Sequence, residues 1–86
     1  MKETQIEKEL FNTIKNLVPK ELIVKSKKVV KKTIRKTTTP IGKTYNTIWC
    51  KNRQNESVLV LYDGQKIKMI SQEEINTYYE IHNIKS

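Results

Sequence analysis

Five consecutive apolar residues, Val58-Leu59-Val60-Leu61-Tyr62, run straight into Asp63-Gly64, and this junction constrains the fold more than any other stretch of the chain. A short unbroken apolar run is typical of a central strand, and Asp-Gly directly after it signals a two-residue hairpin. Beyond the turn, Ile67 and Met69 alternate with Lys66 and Lys68, the period of a return strand. The chain is thereby committed to an antiparallel sheet.

Further strands precede the hairpin. Residues 43–51 alternate, with Tyr45, Thr47 and Trp49 on one face and Thr44, Asn46, Ile48 and Cys50 on the other, and 52–55 form a polar turn. The Val-, Ile- and Thr-rich stretch from Leu22 favours extended pieces near 22–25 and 29–37. A bulge or turn at Ser26-Lys27-Lys28 separates them. Val29, Val30, Thr33 and Ile34 also fit one face of a basic helix, but their β-branching favours strand. Residues 37–42, punctuated by Pro40 and Gly42, form a loop.

Helices are expected at both ends. Thr4-Gln5-Ile6-Glu7 reads as a capping box, and Ile6, Leu10, Phe11, Ile14 and Leu17 recur at helical spacing, predicting a helix over about 3–18 that Pro19 ends. Ser71-Gln72-Glu73-Glu74 is a second box, with Ile70 placed to staple onto Ile75, and Ile75, Tyr78, Tyr79 and His82 carry the helical spacing to about 83. The expectation is one α+β domain spanning 1–86: an antiparallel sheet of three to four strands flanked by an N-terminal and a C-terminal helix, α-β-β-β-(β)-α. Both helices would cover one face of the sheet and leave the other exposed. Eighty-six residues make a single domain that buries only about 60 to 65% of its unfolded surface.

Charge is the functional signal. Between Glu21 and Glu56 there is no acidic residue, while Lys25, Lys27, Lys28, Lys31, Lys32, Arg35, Lys36, Lys43, Lys51 and Arg53 contribute ten positive charges. The rest of the chain holds seven Lys/Arg against nine Asp/Glu, so the net charge of +8 originates in the middle. Such a field attracts polyanions, and lysines along a strand can track phosphates. Edge strands also carry lysine to block aggregation, but that role does not need ten cations without one acid. Tyr45 lies in the same region and can stack on an unpaired base; the lone Trp49 ordinarily belongs to the core.

Catalysis finds little support, because a triad, metal cluster or carboxylate pair needs convergent groups and the chain has one His and one Cys. No enzyme activity, cofactor or metal is expected. Cys50 reads as a small buried apolar group, His82 as an exposed residue of the last helical turn, and Asp63 as a turn residue. No apolar run approaches about 18 residues and no signal-peptide core begins the chain, so no membrane association is expected and the location read from the sequence is cytoplasmic. The Lys, Asn, Ile and Thr content, with no alanine, fits products of AT-rich genomes, including low-GC bacteria and their phages.

The segment VLVLYDGQKIKMISQEEINTYYEI, residues 58–81, resembles the hairpin and closing helix of the small Alu-domain proteins of the signal recognition particle. It shares an apolar strand, Asp63-Gly64, a lysine-bearing return strand and a Ser/Glu-started helix with Asn76. The lysine-rich loop after the first strand of that family has a counterpart in the basic region ending at Lys43. The extra 45–49 strand and the lack of a basic C-terminal tail depart from the pattern. The resemblance implies RNA binding on an exposed sheet face through Lys66, Lys68 and the basic loop.

The function expected from the residues is non-catalytic nucleic-acid binding through the basic middle, with RNA or single-stranded DNA favoured because no recognition-helix or zinc-finger pattern is visible. The alternative is a phage or mobile-element interaction protein, an inhibitor or modulator, docking its basic face on an acidic host protein.

Overall fold

The computed structural model describes residues 5–84, with side chains from Glu7 onward. The N-terminal capping box, which requires Thr4, lies outside the described residues. The elements run α1 (Gln5–Leu17), β1 (Ile23–Val24), β2 (Val30–Lys36), β3 (Lys43–Lys51), β4 (Ser57–Tyr62), β5 (Ile67–Ser71), α2 (Gln72–Tyr78) and β6 (Tyr79–Asn83). Every strand pair is antiparallel, in the order β5-β4-β3-β2-β6, with β1 beside the far end of β3.

This architecture corrects the expected layout of three to four strands between two terminal helices: among the described residues the sheet has six strands, and the last element is a strand. The helix expected to reach about 83 stops at Tyr78. Tyr79 and Ile81 alternate with Glu80 and His82, so these residues also carry a period of two, which a short segment cannot distinguish from helical spacing. Tertiary pairing decides between them. The outer edge of β2 would otherwise present unpaired backbone groups, and β6 satisfies them from Lys36↔Tyr79 to Lys32↔Asn83. Seven residues of α2 are far below the length at which an isolated helix is stable, so its own hydrogen bonds do not oppose the switch.

The sheet is strongly coiled. β5 and β6 are four strand intervals apart, about 19 Å in a flat sheet at ~4.8 Å per interval, with side chains standing perpendicular to it. Yet the Lys68 Nζ of β5 lies 5.9 Å from the centre of the Tyr79 ring of β6. Ile70 of β5 and Ile81 of β6 also share one apolar cluster with Ile34, Leu59, Leu61 and Ile75. The sheet therefore wraps around its own inner face as a partly open barrel, crossed by α2.

The outer face carries a second cluster, in which Ile48, Cys50 and Val60 pack with Ile14, Leu10 and Phe11 of α1. The helices thus sit on opposite faces, not on one. The reason lies in β3 and β4, where Val58 to Leu61 are all buried, so both faces of the central strands are apolar and each needs a cover. Backbone bonding from the Val18 N–H to the Ile14 carbonyl closes α1 just before Pro19.

Two local expectations hold with refinements. The break at 25–29 is a bulge: the Lys25 and Ser26 N–H groups both donate to the Trp49 carbonyl, and the Trp49 N–H donates to Ser26 Oγ at 2.6 Å. The hairpin turns at Gly64-Gln65 and not at Asp63-Gly64. Asp63 instead precedes the turn and accepts from the Gln65 and Lys66 N–H groups, while Gly64 takes φ +107. Ser71 caps α2 by accepting from the Glu74 N–H, and Ile70 and Ile75 are buried in the same cluster.

Candidate nucleic-acid interface

Strand register sorts the basic residues by face. Opposite Tyr45 stands Lys32, and opposite Lys43 stands Ile34. Because side chains alternate, Val30, Lys32, Ile34 and Lys36 share the inner face with Lys43, Tyr45, Thr47 and Trp49, whereas Lys31, Thr33 and Arg35 face outward. Lys68, opposite Leu61, joins the inner set.

On that inner face cations and rings meet in pairs. Lys32 Nζ lies 5.1 Å from the centre of the Trp49 ring, and Lys43 Nζ 5.2 Å from that of Tyr45. Lys36 and Lys68 both reach the Tyr79 ring, at 6.0 and 5.9 Å. All three rings are half-buried, their inner edges packed on the apolar cluster. Among the described residues none of these four lysines makes an ion pair.

Lys32 is the most enclosed of them at 8% exposure. Its ammonium sits over the Trp49 ring, and desolvation lowers its pKa from the ordinary lysine value. Next to it, Thr47 Oγ1 donates to the Val30 carbonyl at 2.8 Å, which satisfies a buried hydroxyl.

The remaining candidates are dispersed. Lys25 lines a cleft of about 380 Å³ with Ser26, Trp49, Ser57 and Gln72. Lys27 and Lys28 are exposed on the bulge beside Phe11 and Asn12 of α1. Lys31 is exposed on the outer face, Lys51 is half-buried at the end of β3, and Arg53 and Lys66 are exposed in turns. Lys66 and Lys43 both lower the pKa of Asp63, although two backbone N–H bonds lower it more.

Arg35 is already engaged. Its Nε donates to Glu80 Oε2 at 3.1 Å, Nη2 pairs with the same oxygen, and Nη1 donates to the Thr39 carbonyl at 3.1 Å. This hydrogen-bonded guanidinium lowers the Glu80 pKa. Arg35 thus fastens β6 to β2, and its charge is largely balanced by Glu80.

Tyr79, Ser26 and Gln72 belong to this surface without having been candidates. Tyr79 reads as helical in the sequence, and nothing in its spacing shows that it will face two lysines from other strands. Trp49 did carry a signal, since it alternates with Tyr45. Cys50 is fully buried with its thiol pKa pushed up by desolvation, and His82 is exposed on edge strand β6. No helix among the described residues is long and apolar enough to cross a membrane. No protein-family model matches the chain, and neither a curated protein nor a solved structure is significantly similar to it.

Proposed function

We propose that this chain is a non-catalytic nucleic-acid-binding protein that takes a single strand, RNA or DNA, along the rim of the inner face of its coiled sheet, over the lysines and half-buried rings that border the apolar cluster closed by α2. The observation that supports this most is the pairing of Lys32, Lys36, Lys43 and Lys68 with Tyr45, Trp49 and Tyr79 on one face where, among the described residues, no carboxylate pairs with these lysines. Rings stack on unpaired bases while ammonium groups neutralise the phosphates between them. In the free protein each ring is covered by a lysine, a contact of about 0.5 to 1 kcal/mol at exposed sites. A stacked base contributes roughly 1 to 3 kcal/mol, so the base displaces the lysine, which then turns to a phosphate.

A single strand fits better than a duplex. The exposed side of α1 carries Glu7 and Glu9 as well as Lys8 and Lys15, so it lacks the charge of a groove-reading helix. With this reading goes a cytoplasmic location, where a chain whose single thiol is free meets RNA.

The test is fluorescence anisotropy of labelled single-stranded RNA and DNA from low to moderate salt. Neutralising four to six phosphates predicts a log–log salt slope of roughly −3 to −4. Absence of binding at low salt, or a flat salt response, would reject the reading and favour an acidic protein, such as a host target of a phage or mobile-element modulator, as the partner.

A further inference from the structure

The cleft beside Trp49 has a composition distinct from the rest of the inner face. Lys25 and Ser26 enter it from the bulge, Ser57 from the start of β4 and Gln72 from the start of α2. The bulge itself creates the opening: its extra residues bend away from β3, and Ser26 Oγ takes the Trp49 N–H that a continuous strand would have paired. At about 380 Å³ the cleft lies near the lower end of small-ligand sites, roughly 300 to 1,000 Å³, so it suits one planar group and not a longer segment.

Its walls match one nucleotide. The indole offers an apolar face and Lys25, exposed on the bulge, lines the cleft, so a cation is available beside the ring. Gln72 supplies a side-chain amide, which both donates and accepts; its nitrogen bonds Asn76 Oδ1 at 3.1 Å on the exposed helix surface. Ser57 adds a hydroxyl. This combination of π-face, paired donor and acceptor, and an adjacent cation can hold an unpaired base by stacking and by its polar edge.

We propose that the Trp49 cleft is a single-nucleotide subsite: an unpaired base lies against the indole, Gln72 and Ser57 address its hydrogen-bonding edge, and Lys25 holds the neighbouring phosphate. This deepens the single-strand reading and rests on it. The remaining lysines of the inner face supply sequence-independent attraction, whereas this cleft supplies preference among bases.

Trp49 is the only tryptophan of the chain, so its intrinsic fluorescence reports on the ring that forms one wall of this cleft. The experiment titrates full-length protein with single-stranded decamers of rA, rU and dT and with an abasic decamer, reading tryptophan fluorescence and label anisotropy in parallel. The expected result is quenching by base-bearing strands, little quenching by the abasic strand, and unequal affinities among the three bases. Trp49→Leu should weaken binding roughly 5- to 160-fold, the range of one lost base–aromatic stack. Because that variant also loses core contacts, the paired surface variants Lys25→Ala and Gln72→Ala serve as the second arm. Together they should flatten the preference among bases and reduce quenching, with salt-dependent binding retained. Strands that bind by anisotropy without changing Trp49 emission, and with equal affinity for the paired variants, would overturn the subsite while leaving the inner-face reading intact. No anisotropy change with any strand at low salt would overturn both.

Discussion

The Lys32 ammonium stands 5.1 Å from the centre of the Trp49 ring on the neighbouring strand, and no carboxylate pairs with it among the described residues. A lysine at 8% exposure with only a ring for company is costly to keep charged in the folded state. Its lowered pKa expresses that cost. Such an arrangement costs stability while the ammonium stays charged.

Replacing Lys32 by Met removes the charge and keeps the stem. In the wild type the folded pKa lies below the unfolded value, so the unfolded chain binds more protons between the two, and stability rises with pH across that alkaline window. Lys32→Met should therefore raise the melting temperature at pH 7, and the gap to wild type should narrow as pH climbs towards about 10.4, the unperturbed lysine value. Thermal melts of both proteins from pH 7 to 10.5 test this; a gap that widens with pH contradicts the assigned desolvation.

Charge reversal separates the inner face from net charge. Lys36, Lys43 and Lys68 changed together to Glu should abolish strand binding measured by anisotropy. Lys8, Lys15 and Lys31, exposed on α1 and the outer face, provide a control of equal charge change. If both triple variants lose affinity equally, only the overall field matters and the inner face is not a site.

Glu80 links the closing strand to pH. Its pKa is lowered by the Arg35 hydrogen bonds, so its contribution is present above the unfolded glutamate value of about 4.3 and is lost as pH falls through the lower folded value. Glu80→Gln should lower the melting temperature at pH 7 and flatten its dependence between about pH 5 and pH 2. Melts across that range should show wild type and variant converging at the acid end; parallel curves would mean that the pair contributes nothing.

The final helix tests how the inner core closes. Ile75→Ala should cost about 2 to 5 kcal/mol, since Ile75 packs with Ile70, Leu59 and Ile34, whereas Ser71→Ala removes a cap at about 0.5 to 2 kcal/mol. In a domain of 86 residues the larger loss approaches the whole stability. Urea titration should order the two variants accordingly; an Ile75→Ala midpoint equal to wild type would mean that α2 does not seal the inner face.

Residue order alone determined the strands from 30 to 71, the bulge near Ser26, the Ser71 cap and the excess of positive charge, because alternation, capping and β-branching are local properties. Residues 79–83 were decided only in three dimensions: their pattern fits helix or strand, and the unpaired edge of β2 supplied the hydrogen-bond partners that chose strand. The same holds for the charges. One stretch of lysines is divided by register into Lys32 and Lys36 inside and Lys31 outside, and Arg35 is bound to a glutamate forty-five positions away. Coiling then brings Lys68 and Tyr79 from opposite edges onto one surface, a meeting that depends on the twist accumulated over the whole sheet and is written in no single segment.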